Sequence, residues 1–549
     1  MAFEVVVEHL NHLGIVAEVC REIGVAEWLN AQEPASRQQV PVGTATVAVV
    51  LNGLGFSNRQ LYLVSQFFDD KPVEHLLGPG IAAADLNDDC LGRTLDWLYA
   101  HDVTTLFAGL ALRARRAFGV PLTQLHADTT SFAVSGEYEP VAGDLDAQTI
   151  TVTYGYSRDH RDDLKQWMLG LITSGDGVPH FLKPLDGNAS DKTALPQVVM
   201  ELADQLRASG EAVGVYVADS GLHSEANMRV LNEAAISWVS RVPETSSVAQ
   251  ALVREEPSAW QQSEDEQVSW WGRTLELPQG QERWLVVRSR AGEQRARATL
   301  QWQAKREQAK WDKRWWHLSH RVFACAPDAQ AALEWERQPM PAWLVAQTEV
   351  VAVPKYGRVG RPRQDTQPVD QEWHVQAQLH LDLDALERAV RHKAAFLVAT
   401  NVLDAATLPD LDLIHTYKAQ SAVERGFTFL QDPLFLASSV FVKKPQRIMA
   451  LAFIMVLCLL VYRLAEVRVR QRLAATQETV SNQLRRPTTR PTMRWLFQCF
   501  EGIDLHHLTV PDGSRITQVL RLSALHRQVL RLLGPAYEFR YLVSGASAK

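Results

Sequence analysis

Residues 212–222 read AVGVYVADSGL, and this stretch decides how the chain is built. Alternate side chains of a strand share a face, which aligns Val213, Val215, Val217 and Asp219. The acid emerges where an apolar strand leaves the core, and α/β sheets form sites at the carboxyl ends of their strands. Residues 122–132, LTQLHADTTSF, repeat the pattern. There Asp128 closes a short strand, shares a face with Gln124 and His126, and has Thr129, Thr130 and Ser131 beside it. A third acid, Glu424, lies in LIHTYKAQSAVERGFTFLQ (413–431), whose spacing predicts one amphipathic helix with Tyr417, Gln420, Glu424 and Gln431 on one face. Alone, each acid is bland: a strand-end Asp is usually a turn former, and a helical Glu is usually solvated. Together, three carboxylates can hold two divalent ions, the equipment for cutting and joining phosphodiesters.

Outward from these strands the pattern changes in both directions. Residues 1–118 read as helices over Val5–Cys20, Thr44–Leu54, Asn58–Phe68 and Leu91–Phe118, broken by Pro34, Pro41, Pro72 and the GPG at 78–80. Strands follow at Leu122–Val134, Ile150–Tyr156, Trp167–Leu171 and His180–Leu185. Then come the helix Leu195–Leu206, the strand ending at Asp219, the helix Ser224–Glu233 and the strand Ile236–Val242. Antiparallel strands followed by helix–strand alternation describe a mixed α/β sheet. The rhythm fails from 245 to 393, a segment holding eleven of the sixteen tryptophans, and resumes with the strand Ala395–Thr400. An inserted domain is the simplest account. The expected division is 1–118 helical, 119–244 and 394–470 catalytic core, 245–393 Trp-rich insertion, and 471–549 a basic helical C-terminal region.

Composition bounds the reading. A chain of 549 residues with 46% hydrophobic and 22% charged content is a globular protein of several domains. Five scattered cysteines form no CxxC pair, so neither a structural zinc nor a disulfide framework is expected, and a reducing cytosol is the natural compartment. The acidic opening MAFEVVVEHL is not a secretory signal. Ile448–Tyr462 is uninterrupted apolar sequence, shorter than a bilayer requires, and is expected to be a core helix. The net charge of -7 hides an asymmetry: residues 1–100 carry eight more acids than bases, and 441–549 eleven more bases than acids. The basic end could meet phosphates.

The words around the acids are more specific. HADTTSF, YGYSRDHRDDLKQWMLGL, GDGVPHFLKPLDGNASDKT and VADSGLHSEAN resemble the catalytic core of bacterial insertion-sequence transposases with an RNase H-like fold and a DDE triad. YKAQSAVERGFTFLQDPLFLASSVFVKKPQRIMAL resembles the third-acid helix of the group with a Tyr-x2-Arg-x3-Glu-x6-Lys signature, and LNDDCLGRTLDWL and RPTTRPTMRWLFQCFEGI also look like that group. The resemblance implies Asp128, Asp219 and Glu424 as catalytic and metal-binding acids, with two Mg²⁺ ions that Mn²⁺ can replace. It places a β-rich insertion between the second and third acids. It implies cutting at transposon ends and joining to target DNA, with inverted-repeat and target DNA as partners, a homodimer, and no membrane. Tyr417 and Glu424 match the signature, whereas Gln420 and Gln431 stand where it has Arg and Lys, so phosphate binding is irregular at both. Two other readings stay open: a metal-dependent nuclease without strand transfer, and an inactive DNA-binding remnant.

Further expected DNA contacts are Arg241 and the AT-hook-like KYGRVGRPR at 355–363, with Arg358, Arg361 and Arg363, against the alternative of a basic linker. Arg485, Arg486, Arg490 and Arg494 are plausible phosphate binders. Trp270, Trp271, Trp315 and Trp316 could stack on unpaired bases, although buried packing is the commoner role. His126 reads as a packed or hydrogen-bonded residue, not a ligand.

Overall fold

The computed structural model describes residues 4–33, 38–56, 61–136, 138, 148–156, 161–255, 257, 259–336, 340–357, 367–432, 444–509 and 515–542. These divide into two compact units, one formed by 1–240, 276–281 and 400–549, the other by 241–275 and 282–399.

The first unit is built on strands β1 (Glu4–His9), β2 (Gln124–Val134), β3 (Lys165–Ser174), β4 (Pro179–Leu185), β5 (Val215–Ala218) and β6 (Trp238–Arg241). The last five form one sheet in the order β4-β3-β2-β5-β6. β3 runs antiparallel to β2 and β4, whereas β2, β5 and β6 are parallel. Three antiparallel strands extended by parallel ones give the RNase H-like mixed sheet. Burial on both faces explains the apolar runs, because helices cover each side. Phe132 and Trp167, register partners on β2 and β3, stack at 4.7 Å and anchor the antiparallel half.

Register assigns each residue a face. A methyl on Gly170 of β3 would lie 2.9 Å from Val198, in the helix Asp191–Ala208, so that helix covers one face. A methyl on Gly426 would lie 3.6 Å from Leu171, so the helix Ser421–Leu430 covers the other. Asp128 pairs in register with Leu171 and therefore faces the Ser421–Leu430 helix; Thr129 pairs with Gly170 and faces the opposite one.

The apolar run at 448–462 lies within a helix of 32 residues, Pro445–Thr476. By length and composition it could cross a membrane, but its apolar window is wholly buried within the protein. N-terminal helices and C-terminal segments share one core with it: Leu10, Val50, Phe107, Phe453, Leu457, Phe497 and Tyr541 belong to a single cluster. Arg468 clamps Glu22 through two 2.6 Å bonds, and the Tyr541 hydroxyl donates to the Asn11 carbonyl at 2.5 Å.

Several expectations change. The first helix starts at Leu13, because Glu4–His9 is a strand paired with Asp504–Thr509, which pairs in turn with Arg515–Leu520. The C-terminal region therefore contributes a hairpin as well as helices. The Leu91–Phe118 run divides at Asp102, whose φ of 57° breaks it into Asp88–Ala100 and Val103–Phe118. Of Ile150–Tyr156, only Thr153 pairs, in a bridge to Gln166.

The second unit contains the strands Val268–Leu277 and Gly280–Ser289 as a hairpin and a second hairpin of Leu344–Lys355 with Asp370–Leu381. Its longest helix, Arg290–Ser319, buries Trp311, Trp315 and Leu318 in a cluster with Phe323, Leu333 and Val375.

Candidate active site

β2 and β5 pair in parallel as far as Ala127 and Ala218, so Asp128 and Asp219 are the next residues of two neighbouring strands. Both continue the alternation that faces the Ser421–Leu430 helix, which places the acids side by side; Asp219 follows the end of β5, but Asp128 lies inside β2, which runs on to Val134, so it does not close a short strand as expected. Asp128 is partly buried and Asp219 exposed. The Thr129 amide donates to the Asp128 carboxylate at 2.8 Å. The strand end at Asp219 is held by the Ser240 hydroxyl, which donates to its carbonyl at 3.1 Å, and the Tyr417 hydroxyl donates to its carboxylate at 3.4 Å.

The segment carrying the third acid is not one helix. It divides into Asp410–Lys418 and Ser421–Leu430. At the junction the Gln420 and Ala422 amides reach back only three residues, to Tyr417 and Ala419. The break separates Tyr417 from the helix of Glu424 and turns each toward a different strand, Tyr417 to the end of β5 and Gln420 to β2.

Gln420, expected as a DNA contact, is engaged within the protein in this structure. It is only 7% exposed, and its amide donates to the Ala127 carbonyl at 3.1 Å while its carbonyl bonds the His126 ring at 3.1 Å. The side chain that stands in the place of a phosphate-binding cation is a clasp between helix and strand. Glu424, one turn further on, is exposed. Burial drives the His126 pKa down to about 4, and the hydrogen bond to the Gln420 carbonyl opposes that only in part. The imidazole is therefore neutral at pH 7, as expected of a packed histidine.

The other expected residues scatter. Arg241 closes β6 and ion-pairs with Glu244 at 2.5 Å. Gln431 is exposed at the C-terminal cap of the Glu424 helix. Arg358, Arg361 and Arg363 lie outside the described residues. Arg494 ion-pairs with Asp432 at 2.7 Å. Trp270, Trp271 and Trp315 are buried, which removes them as base-stacking surfaces, whereas Trp316 is exposed. The motif reading passed over Asp191, which begins the helix on the opposite face and accepts a hydrogen bond from the Thr129 hydroxyl. A methyl on Gly221 would lie 3.5 Å from its Cβ, so Asp191 braces the turn after Asp219 from beneath. Its only sequence signal is its place at a helix start, where an acid is favoured anyway.

Among the described residues, no three His, Cys, Asp or Glu side chains are grouped closely enough to hold a metal ion. The two aspartates adjoin by register, and Glu424 does not complete a group with them. The donor chemistry, the hard carboxylate oxygens of two adjacent aspartates, fits a divalent cation such as Mg²⁺.

A family model described as Transposase DDE domain matches residues 137–461, more than half of the chain. Asp219 and Glu424 fall inside that match and Asp128 just before it. Residues 5–112 match a domain of unknown function (DUF4277). No curated protein matches this chain. A solved structure of the piggyBac transposase synaptic complex with hairpin DNA is similar over 89% of this chain and 79% of that one, at a TM-score of 0.35 and 10% identity. With the matched family domain spanning most of the chain around Asp219 and Glu424, the protein belongs to the DDE transposases.

Proposed function

We propose that the chain is the transposase of a bacterial insertion sequence, cutting at the inverted repeats of its element and joining the ends to target DNA. The observation that supports this is the register of β2 and β5, which makes Asp128 and Asp219 neighbours on the face covered by the helix of Glu424. Asp128, Asp219 and Glu424 would hold two Mg²⁺ ions, with Mn²⁺ able to substitute. The ions would supply polarisation of the attacking water or 3′-hydroxyl and stabilisation of the leaving 3′-oxygen. The protein's own groups orient the acids: the Thr129 amide fixes the Asp128 carboxylate, and the Tyr417 hydroxyl steadies that of Asp219. The Gln420 clasp ties the start of the helix that carries Glu424 to β2. Tyr417, Gln431, Arg241, Arg358, Arg361 and Arg363 are proposed DNA contacts. The protein would act as a homodimer on paired ends, in the cytoplasm at the nucleoid, with its N-terminal region contributing to end binding or dimerisation.

The test is metal-dependent cutting of terminal-repeat DNA. Wild type cuts and, given pre-cut ends, joins them to target; Asp219→Asn and Glu424→Gln do neither while retaining the wild-type melting temperature. Cutting without joining would leave the nuclease reading. The ungrouped third acid favours a second reading, an inactive DNA-binding protein, and a wild type that binds repeat DNA but is inert with Mg²⁺ and Mn²⁺ would establish it.

A further inference from the structure

The Arg290–Ser319 helix of the second unit has two unlike sides. Trp311 and Trp315 are buried on one. On the other, Trp302, Arg306, Ala309, Lys313, Trp316 and His320 recur at intervals of four and three residues and are all exposed. That spacing makes a single stripe. Trp302 and Trp316 are 61% and 55% exposed, although indole is among the side chains that gain most from burial. Each ring has a companion one turn on: the Arg306 guanidinium lies 5.6 Å from the Trp302 ring, and the His320 ring 4.0 Å from that of Trp316.

Charge identifies the partner. Arg290, Arg297, Lys310 and Arg314 are ion-paired, with Glu266, Glu387, Glu307 and Glu336. Arg295, Lys305, Arg306 and Lys313 have no carboxylate partner among the described residues, and Asp312 is the one exposed acid on this helix. The stripe therefore carries unneutralised positive charge interleaved with flat aromatic faces. Duplex DNA offers the charge complement but conceals its base faces; unpaired bases offer both. Fourteen residues of helix separate the indoles by about 21 Å, the span of about six nucleotides at a stacked spacing of about 3.4 Å.

We propose that this stripe is a binding track for single-stranded DNA, with Trp302 and Trp316 stacking on separate bases and Arg306 and Lys313 meeting the phosphates between them. It rests on the transposase reading only in taking DNA as the nucleic acid. Anisotropy of a labelled dT strand of about twelve nucleotides, with a duplex of equal length beside it, tests the full-length protein. Trp302→Ala and Trp316→Ala should each weaken the single strand about tenfold and leave the duplex nearly unchanged. Arg306→Gln and Lys313→Gln should each lower the salt dependence of single-strand binding by about 0.7 in log–log slope. Both tryptophans are solvent-exposed, and an unchanged melting temperature confirms folding. Wild-type affinity in the tryptophan variants overturns the proposal, as does an equal loss for single strand and duplex. Failure of the transposase reading shows elsewhere: a wild type inert on terminal-repeat DNA whose dT binding still depends on Trp302 and Trp316.

Discussion

Replacing Gln420 by methionine keeps the length and bulk of the side chain and removes both of its hydrogen bonds. In the folded protein the amide donates to the Ala127 carbonyl, which orients its oxygen toward His126. A neutral His126 must then carry its proton on Nδ1, since a glutamine oxygen can only accept. His126 is fully buried, and its Nε2 already lacks a partner among the described residues. Gln420→Met therefore orphans two buried groups, the Ala127 carbonyl and the His126 Nδ1–H. Each costs about 1–3 kcal/mol, and the apolar replacement recovers part, leaving a loss of about 2–4 kcal/mol. For a unit this large the first thermal transition should fall by about 2–5 °C. Because a two-unit chain need not unfold in one step, amide hydrogen exchange is the sharper assay. Protection should fall in 124–128 and 420–430 and be retained in 445–476. The opposite pattern would refute the reasoning: wild-type melting and exchange with weakened binding of terminal-repeat DNA would make Gln420 a phosphate contact after all.

Two further predictions concern the shared core. A methyl on Gly43 would lie 2.3 Å from the Ala26 carbonyl oxygen, where the helices Val25–Ala31 and Val42–Leu54 touch. Since backbone cannot step aside as a side chain can, Gly43→Ala should cost about 1–3 kcal/mol, seen as a lower melting temperature, and an unchanged one would mean the helices separate freely. His12 and His180 are buried, and burial lowers the pKa of each to about 4. Unfolding restores a value near 6.5, so between about pH 6.5 and 4 the unfolded chain binds more protons. Stability should therefore fall with acidification, by up to about 2.7 kcal/mol per pH unit for the pair. Denaturant titrations across that window should show a shallower slope in His12→Gln; an identical slope would mean His12 is solvated.

The strands were legible because a strand needs only alternation, and alternation is a local property of residues such as Val215, Val217 and Asp219; that Asp128 lies inside its strand and not at its end depended on the pairing with β3. The core helix at 448–462 was legible for a similar reason, since a helix apolar on every side has nowhere to go but inside. Less visible was the break at Ala419–Gln420, because helical spacing continues across it and only the reach of Gln420 to a strand nearly three hundred residues earlier requires a turn. The pairing of Glu4–His9 with Asp504–Thr509 was hidden in the same way, as a short apolar stretch reads equally as helix until its partner is known.

By itself, then, the chain's order of residues determined which acids could act together and which segments had to be buried. Tertiary structure decided what each neighbour meets: Gln420 clasped to β2, Trp315 inside and Trp316 outside on one helix. Spacing specifies the face a side chain takes, but only the packed fold specifies what that face meets.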